Sequence, residues 1–241
     1  MALPELTAVL DRYLALARLA RGRFRDSLSG KLLLRPGFDA DGIAVLLSAS
    51  IAGAVSLAID ADAEALRAGL RQGFCDFVVA HADEALRILK NELRRGLPVS
   101  VGLVADPASC IAALIERGLQ PDLLSAPAAF APQAVETFVE RGAVLLAAHD
   151  PADADRTLLA WSVPAARLLP EVARLAAEAL DPASVDTPAR IRWLERSPRY
   201  LGRAFAAQQC LRMSSSEIAA FLPRVRERVP GIVLTQSGQP V

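Results

Sequence analysis

The chain has 241 residues, a length that fits one large domain or a domain with an appendage. Apolar residues make up 53% of it, enough for a sizeable core, and 27 basic residues balance 27 acidic ones. This balance argues against a general attraction to nucleic acid or to an anionic membrane surface. Three widely spaced cysteines, no signal-peptide pattern and no apolar run of about 18 residues favour a cytoplasmic protein without a membrane span.

The first elements follow an alternating pattern. Helical spacing opens the chain over residues 3–21. Strands are then predicted at residues 31–35, 54–59, 77–80, 99–104, 121–125 and 143–148, helices at 43–51, 63–71, 82–95, 107–117 and 132–141, and a turn at 37–42. This alternation predicts parallel βαβ units in an open, doubly wound, mostly parallel α/β sheet. Ligands of such sheets bind beyond the carboxyl ends of the strands.

After residue 150 the pattern changes to a mixed α/β portion. The prediction is a helix at 163–180 interrupted by Pro170, a connection at 181–188, a strand at 189–194, a helix at 198–213 and a strand at 232–236. Ser214 and Glu217 form a capping-box pattern that starts a helix over 218–229. On the predicted strand, Arg190 and Arg192 would share one face, where they meet anions or water.

Several segments, taken together, resemble urocanase (urocanate hydratase). They are residues 30–37, 52–60, 70–76, 99–104, 114–122 and 141–144. Their spacing persists over about half of the chain, which makes the resemblance specific. It implies a free-standing, degenerate Rossmann-like domain at 30–150. A helical extension would precede it at 1–29, and a C-terminal α/β portion at 151–241 would pack on the same domain.

The resemblance also implies a cofactor and the residues that contact it. Urocanases hold NAD tightly and use it as an electrophile toward urocanate. In their glycine-rich loop, backbone amides approach a pyrophosphate at a helix N-terminus. Of the glycines in that loop, this chain keeps Gly37 and Gly42. The alternative interpretation is that both are ordinary turn glycines without a role in binding. Asp60 follows the second strand and suits ribose hydroxyls. Asp106 stands where the family has an asparagine.

Other substitutions argue against retention of NAD. Asp39 and Asp41 replace family glycines, and their carboxylates would repel a diphosphate unless a cation intervenes. Residues 127–131 have lost the polar side chains of the matching family segment. The large family core with its catalytic cysteine has no counterpart. Two carboxylates alone are a weak metal signal, so no metal site is predicted.

Three functions stay open. The favoured one is a binding or regulatory module without urocanate hydratase activity. The alternative is a nucleotide-dependent enzyme of the hydro-lyase type with an altered substrate. In such an enzyme His149 is the candidate general base and Asp150 the residue that orients it; otherwise the two residues belong to a solvated loop without a catalytic role. The third is an interaction protein, because a lone domain exposes surface that the missing core would cover. We therefore expect a homodimer or a protein partner, with room for a small-molecule ligand, but no nucleic acid and no membrane.

Overall fold

A computed structural model describes residues 3–127, 130–146 and 156–240 of the chain. The chain divides into two compact units, Met1–His149 and Asp150–Val241, and each has a sheet of its own. Within the described ranges, no helix combines the length and the apolar character needed to cross a membrane.

The first unit alternates strands and helices along the chain, as predicted. Its strands are β1 (Leu32–Pro36), β2 (Val55–Asp60), β3 (Phe77–Val79), β4 (Ser100–Val104), β5 (Leu123–Leu124) and β6 (Val144–Leu145). Its helices are α1 (Leu6–Arg23), α2 (Ala40–Ala52), α3 (Ala63–Gln72), α4 (Ala82–Arg95), α5 (Pro107–Glu116) and α6 (Pro132–Glu140). Each element predicted for this unit is present, with shifts at its ends.

The six strands form one parallel sheet in the order β3-β4-β2-β1-β5-β6. From β1 the chain extends the sheet on one side through β2, β3 and β4. It then crosses over to add β5 and β6 on the other side. The predicted doubly wound parallel sheet is confirmed. The change of direction opens a switch point between the carboxyl ends of β1 and β5, which is where open α/β sheets bind ligands.

Continuous apolar strands allow helices to cover both faces of this sheet. Leu33 and Leu34 are consecutive and both fully buried, because successive strand residues point to opposite faces. Leu33 belongs to a cluster with Leu16 of α1 and Val45 of α2. Leu34 belongs to a second cluster with Leu57 of β2. Helix α1 is therefore part of the core of this unit.

The second unit combines an antiparallel sheet with helices. Its strands are β7 (Thr157–Ser162), β8 (Gln208–Met213), β9 (Val233–Gln236) and β10 (Gln239–Pro240), and its helices are α7 (Leu169–Ala179), α8 (Thr187–Tyr200) and α9 (Ser215–Arg228). The strands pair in the order β10-β9-β7-β8. The expected mixed α/β character is confirmed.

Several details predicted for this unit are wrong. The residues predicted as a strand at 189–194 lie within α8, and β8 occupies the end of the segment predicted as a helix at 198–213. Strand β7 was not predicted at all. Pro170 does not interrupt a helix but stands in the first turn of α7, where the absence of its N–H leaves no hydrogen bond unmade.

A buried ion pair explains the error at α8. Arg190 is fully buried rather than on an exposed strand face. Its Nη1 donates to both carboxylate oxygens of Glu217 at 2.9 and 2.8 Å, and its Nη2 donates to Thr187 Oγ1 at 3.0 Å. An arginine counted as a surface residue made this segment look like an alternating strand. With Arg190 counted as buried, the spacing to Trp193, Leu194 and Ser197 is helical.

Glu217 also completes the capping box that the sequence predicted. The Glu217 amide donates to Ser214 Oγ at 3.3 Å, and the Ser214 amide donates to Glu217 Oε2 at 2.8 Å. Burial raises the pKa of Glu217, but hydrogen bonds from Arg190 and from the Asp181 and Ser214 amides together outweigh burial and lower that pKa. The ionised carboxylate therefore links the start of α9 to α8.

Candidate cofactor site

The connection after β1 is shorter than predicted, because α2 begins at Ala40. Asp39 is the N-cap of α2, with an extended backbone and with its Oδ1 accepting a hydrogen bond from the Gly42 amide at 2.7 Å. A capping carboxylate satisfies one of the amides that the first helical turn leaves unpaired. The predicted turn at 37–42 is therefore wrong in its second half.

The two glycines of this segment, Gly37 and Gly42, meet different steric demands. Gly37 has φ +91°, a left-handed conformation that suits glycine, and its amide donates to the Ile59 carbonyl at 2.8 Å. A Cβ at Gly42 would lie only 2.7 Å from the Gly37 carbonyl oxygen. Gly42 thus allows the first turn of α2 to pack against the chain leaving β1.

Arg35 lies at the centre of this region, although no sequence pattern singled it out. It belongs to β1 and is 2% exposed. Its Nη2 donates to Asp39 Oδ1 at 3.1 Å, and its Nη1 lies 3.2 Å from Asp41 Oδ2. Nη1 also donates to Ser125 Oγ, just beyond β5, at 3.4 Å. Residues 31–35 carry a charge at each end, Lys31 and Arg35, and the charge at the carboxyl end of the strand was the feature that could have revealed it.

The negative charge expected from Asp39 and Asp41 is compensated. Both carboxylates pair with Arg35, and Asp41 Oδ1 also lies 2.6 Å from Nη2 of Arg12. Because two cations of the chain face two carboxylates, unscreened repulsion is the wrong reason for excluding a diphosphate. The structure provides a different one. Asp39 uses an amide and a guanidinium donor of the kind that bind phosphate at helix N-termini.

Asp60, at the end of β2, lies against the same segment. Its Oδ2 accepts a hydrogen bond from the Phe38 amide at 2.7 Å, and its Oδ1 accepts one from the Asp62 amide at 2.8 Å. The structure therefore brings Asp60 together with the predicted loop at neighbouring strand ends. A carboxylate oxygen can accept more than one hydrogen bond, so a ribose hydroxyl would still find an acceptor here.

Asp106 follows β4, which neighbours β2, and is the N-cap of α5. Its Oδ2 accepts hydrogen bonds from the Ser109 amide at 2.9 Å and from the Ser109 hydroxyl at 2.8 Å. These two bonds lower the pKa of Asp106. The candidates His149 and Asp150 lie outside the described residues, as do two positions, 128 and 129, of the apolar segment predicted to replace a polar one.

The thiols of this unit are not activated. Burial, with a smaller contribution from the charge of Asp76, raises the pKa of Cys75 to about 12. Burial also raises the pKa of Cys110, against a smaller opposing effect of Arg117. A protonated thiol is a poor nucleophile. These two cysteines are therefore not candidates for covalent chemistry.

Two concave surfaces lie away from these strand ends. An open one of about 1000 Å³ follows α4. A second, of about 450 Å³, lies between α7 and α8 and is mostly apolar, with Ile191 and Leu194 among its lining residues. Neither is lined by Arg35, Asp39 or Asp60. The polar residues at the switch point are thus a separate feature.

Comparison with protein families decides which domain this is. The family model of the urocanase Rossmann-like domain matches residues 9–157, more than half of the chain. The chain belongs to the urocanase family. This confirms the resemblance drawn from the sequence, and the matched range also takes in most of α1.

The urocanase Rossmann-like domain is a family that binds NAD, so the switch point can be compared with the needs of that cofactor. A ribose hydroxyl would find an acceptor at Asp60, at the end of β2. The phosphate-binding part differs, because the Gly42 amide and Arg35 Nη2 both donate to Oδ1 of Asp39. That oxygen occupies both of these donors at the N-terminus of α2. In this arrangement the residues do not fit a diphosphate.

Proposed function

We propose that this urocanase-family domain acts as a binding or regulatory module and lacks urocanate hydratase activity. The observation that carries the proposal is the use of both phosphate donors, the Gly42 amide and Arg35, by Asp39. Apart from Arg35, the buried strand residues take no part in these contacts, because sheet packing and site chemistry depend largely on different residues. The fold can therefore persist after the chemistry is lost. We expect little or no affinity for NAD.

Native mass spectrometry of freshly purified protein tests this proposal, since a tightly held cofactor would remain bound. We expect the mass of the chain without nucleotide, no heat on calorimetric titration with NAD, and no loss of urocanate absorbance on incubation. A catalytically active urocanase, purified in the same way, serves as the positive control. Retained NAD, or turnover of urocanate, would contradict the proposal.

The second candidate is a nucleotide-dependent enzyme of the hydro-lyase type with a substrate other than urocanate. Asp60 favours it, because a carboxylate at the end of β2 keeps the position that binds ribose in such folds. If a turnover is found, Asp60→Asn should reduce it, and His149→Ala tests the proposed base. An activity that neither substitution changes would leave this candidate without a basis.

We also propose that the domain associates with a second copy or with another protein. The support comes from the edge strands β3 and β6, where Phe77 and Leu145 are 47% and 48% exposed. Edge strands present unpaired backbone groups, and exposed apolar side chains beside them favour association. Light scattering at micromolar concentration should show a dimer.

The three free cysteines suit a reducing compartment such as the cytoplasm, which cell fractionation would test.

A further inference from the structure

We infer that Asp39 is a built-in substitute for a phosphate group, and that the segment after β1 is an anion site which the chain has filled with its own carboxylate. The ligand class that this site would otherwise take is a phosphate or a diphosphate. The inference rests on the proposed function in one respect, since both treat this place as closed in the natural chain.

The hydrogen-bond donors around Asp39 define the site. Its Oδ1 accepts from the Gly42 amide at 2.7 Å and from Arg35 Nη2 at 3.1 Å. A backbone amide at a helix N-terminus and a guanidinium are the pair of donors that bind phosphate oxygens in proteins. One carboxylate oxygen thus has the surroundings of a phosphate oxygen.

Arg35 provides the second observation, because its burial has a cost that capping alone does not explain. A buried guanidinium needs an anion close by, and here Asp39 and Asp41 supply it. The Nε of Arg35 is buried and has no hydrogen-bond partner. This Nε lies 3.3 Å from the position that a Cβ on Gly42 would take, so it faces the first turn of α2. The guanidinium therefore has one unused N–H donor, Nε, beside the backbone amides of the first turn of α2.

The two carboxylates together indicate a ligand with two anionic groups. Asp39 meets Nη2 of Arg35, whereas Asp41 meets Nη1 and also Arg12. Removing both takes away the two carboxylate partners of Arg35 at a helix N-terminus, where an anion is stabilised. The side chain of Asp39 is 66% exposed, so its place would open to solvent once vacated. Inorganic pyrophosphate is the simplest probe with two linked phosphate groups.

The test is a gain of binding in the full-length variant D39G/D41A. Glycine is an adequate N-cap, so helix α2 can still begin at the same place in this variant. At constant ionic strength, calorimetry should show pyrophosphate binding at least about tenfold tighter than in the natural chain, the order expected for one or two charge-assisted hydrogen bonds. Thermal unfolding of the variant should shift upward with pyrophosphate.

Two controls make the result specific to this site. Asp62 is the N-cap of α3, where it accepts hydrogen bonds from the Glu64 and Ala65 amides. The substitution D62G removes a capping carboxylate in the same way and should give no pyrophosphate response. Adding R35M to D39G/D41A should abolish the gain. Equal gains in D62G and D39G/D41A, or a gain that survives R35M, would overturn the inference.

A milder variant covers the case in which D39G/D41A fails to fold. D39N keeps an oxygen that can cap α2 while removing one of the two negative charges that pair with Arg35, and it should show a smaller but measurable gain. If folded D39N binds pyrophosphate no better than the natural chain, the inference is overturned. Tight binding of NAD by the natural chain would contradict both proposals, since both treat the site as closed there. Failure of the variants to gain pyrophosphate binding would overturn the inference alone and leave the proposed function standing.

Discussion

Arg35 lies in the central strand of a parallel sheet, where water cannot compensate its charge. Its partners come from three places in the sequence: Asp39 just before α2, Asp41 within its first turn, and Ser125 beyond β5. Arg35 is buried and its two carboxylate partners lie at the surface, so Arg35 depends on the carboxylates more than they depend on Arg35. If Arg35 is removed, water can still hydrate the two carboxylates. If the carboxylates are removed, water cannot reach the buried Arg35 to replace them.

The first prediction follows from this inequality. Asp39→Ala removes a cap and one of two anions from a buried guanidinium, so the free energy of unfolding should fall by about 2–3 kcal/mol. Arg35→Met leaves carboxylates that water can reach and should cost about 1–2 kcal/mol. Urea unfolding measures both. Asp62→Ala, which removes a cap without a buried arginine, should cost about 1 kcal/mol. A larger loss for Arg35→Met than for Asp39→Ala would contradict the argument.

Glu217 gives a prediction about pH. Its pKa is lowered in the folded protein, so its contribution to stability is present above the usual glutamate pKa of about 4.3 and is lost as the pH falls through the lowered value. Glu217→Gln should therefore destabilise the protein at neutral pH, with a difference that shrinks on acidification. Denaturant unfolding at a series of pH values measures this. Glu195→Gln, at an exposed position of α8, is the matched control.

The residues at the switch point show which details a sequence can provide. Asp60 and the glycines were predictable because their spacing follows strand ends. The cap at Asp39 was also within reach, since an aspartate just before an apolar helix is a known start signal. The contact between Arg35 and Ser125 was not, because it joins residues 90 positions apart. The charge balance likewise depends on Arg12, which lies 29 positions from Asp41 and reaches it only in the folded chain.

At the scale of elements, errors cluster where a polar residue is buried. Strands of the parallel sheet were predictable because both faces are apolar. In α8 the buried stripe includes Arg190 and Ser197, so a hydrophobic pattern assigns the wrong period. Strand β8 carries Gln209, which is buried and donates to the Leu194 carbonyl and Ser197 Oγ. Only the partner segments make these polar residues suitable for a core.

Helix α3 provides a prediction about packing. A Cβ at Gly69 would lie 2.4 Å from a ring carbon of Phe38, the residue whose amide binds Asp60. Gly69→Ala should destabilise the protein by about 1–3 kcal/mol through overpacking, although alanine favours helices. Gly22→Ala is the matched control, because nothing lies within 4 Å of its added Cβ. That variant should be neutral or slightly more stable in thermal unfolding. Equal effects would show that α3 can move without cost.

At the scale of the whole molecule, charge balance and exposed apolar edges act together. The net charge is zero at neutral pH, so little electrostatic repulsion opposes association. Light scattering at neutral pH should give the largest mean mass, and a specific dimer should persist well above and below neutrality while nonspecific aggregates dissociate. The substitution F77K on β3 should weaken a dimer that uses this edge. A monomer under all conditions would contradict the proposed association.

The strand order also sets the sequence of events when the chain is synthesised. Strand β1 can pair with β2 soon after both have left the ribosome, but its other neighbour, β5, follows about 90 residues later. Until then the central strand is an open edge, and the Arg35 side chain lacks Ser125. Such long-range pairing slows folding and exposes the nascent sheet to aggregation. We therefore expect chains truncated before β5 to be held by chaperones, and full-length chains to be released.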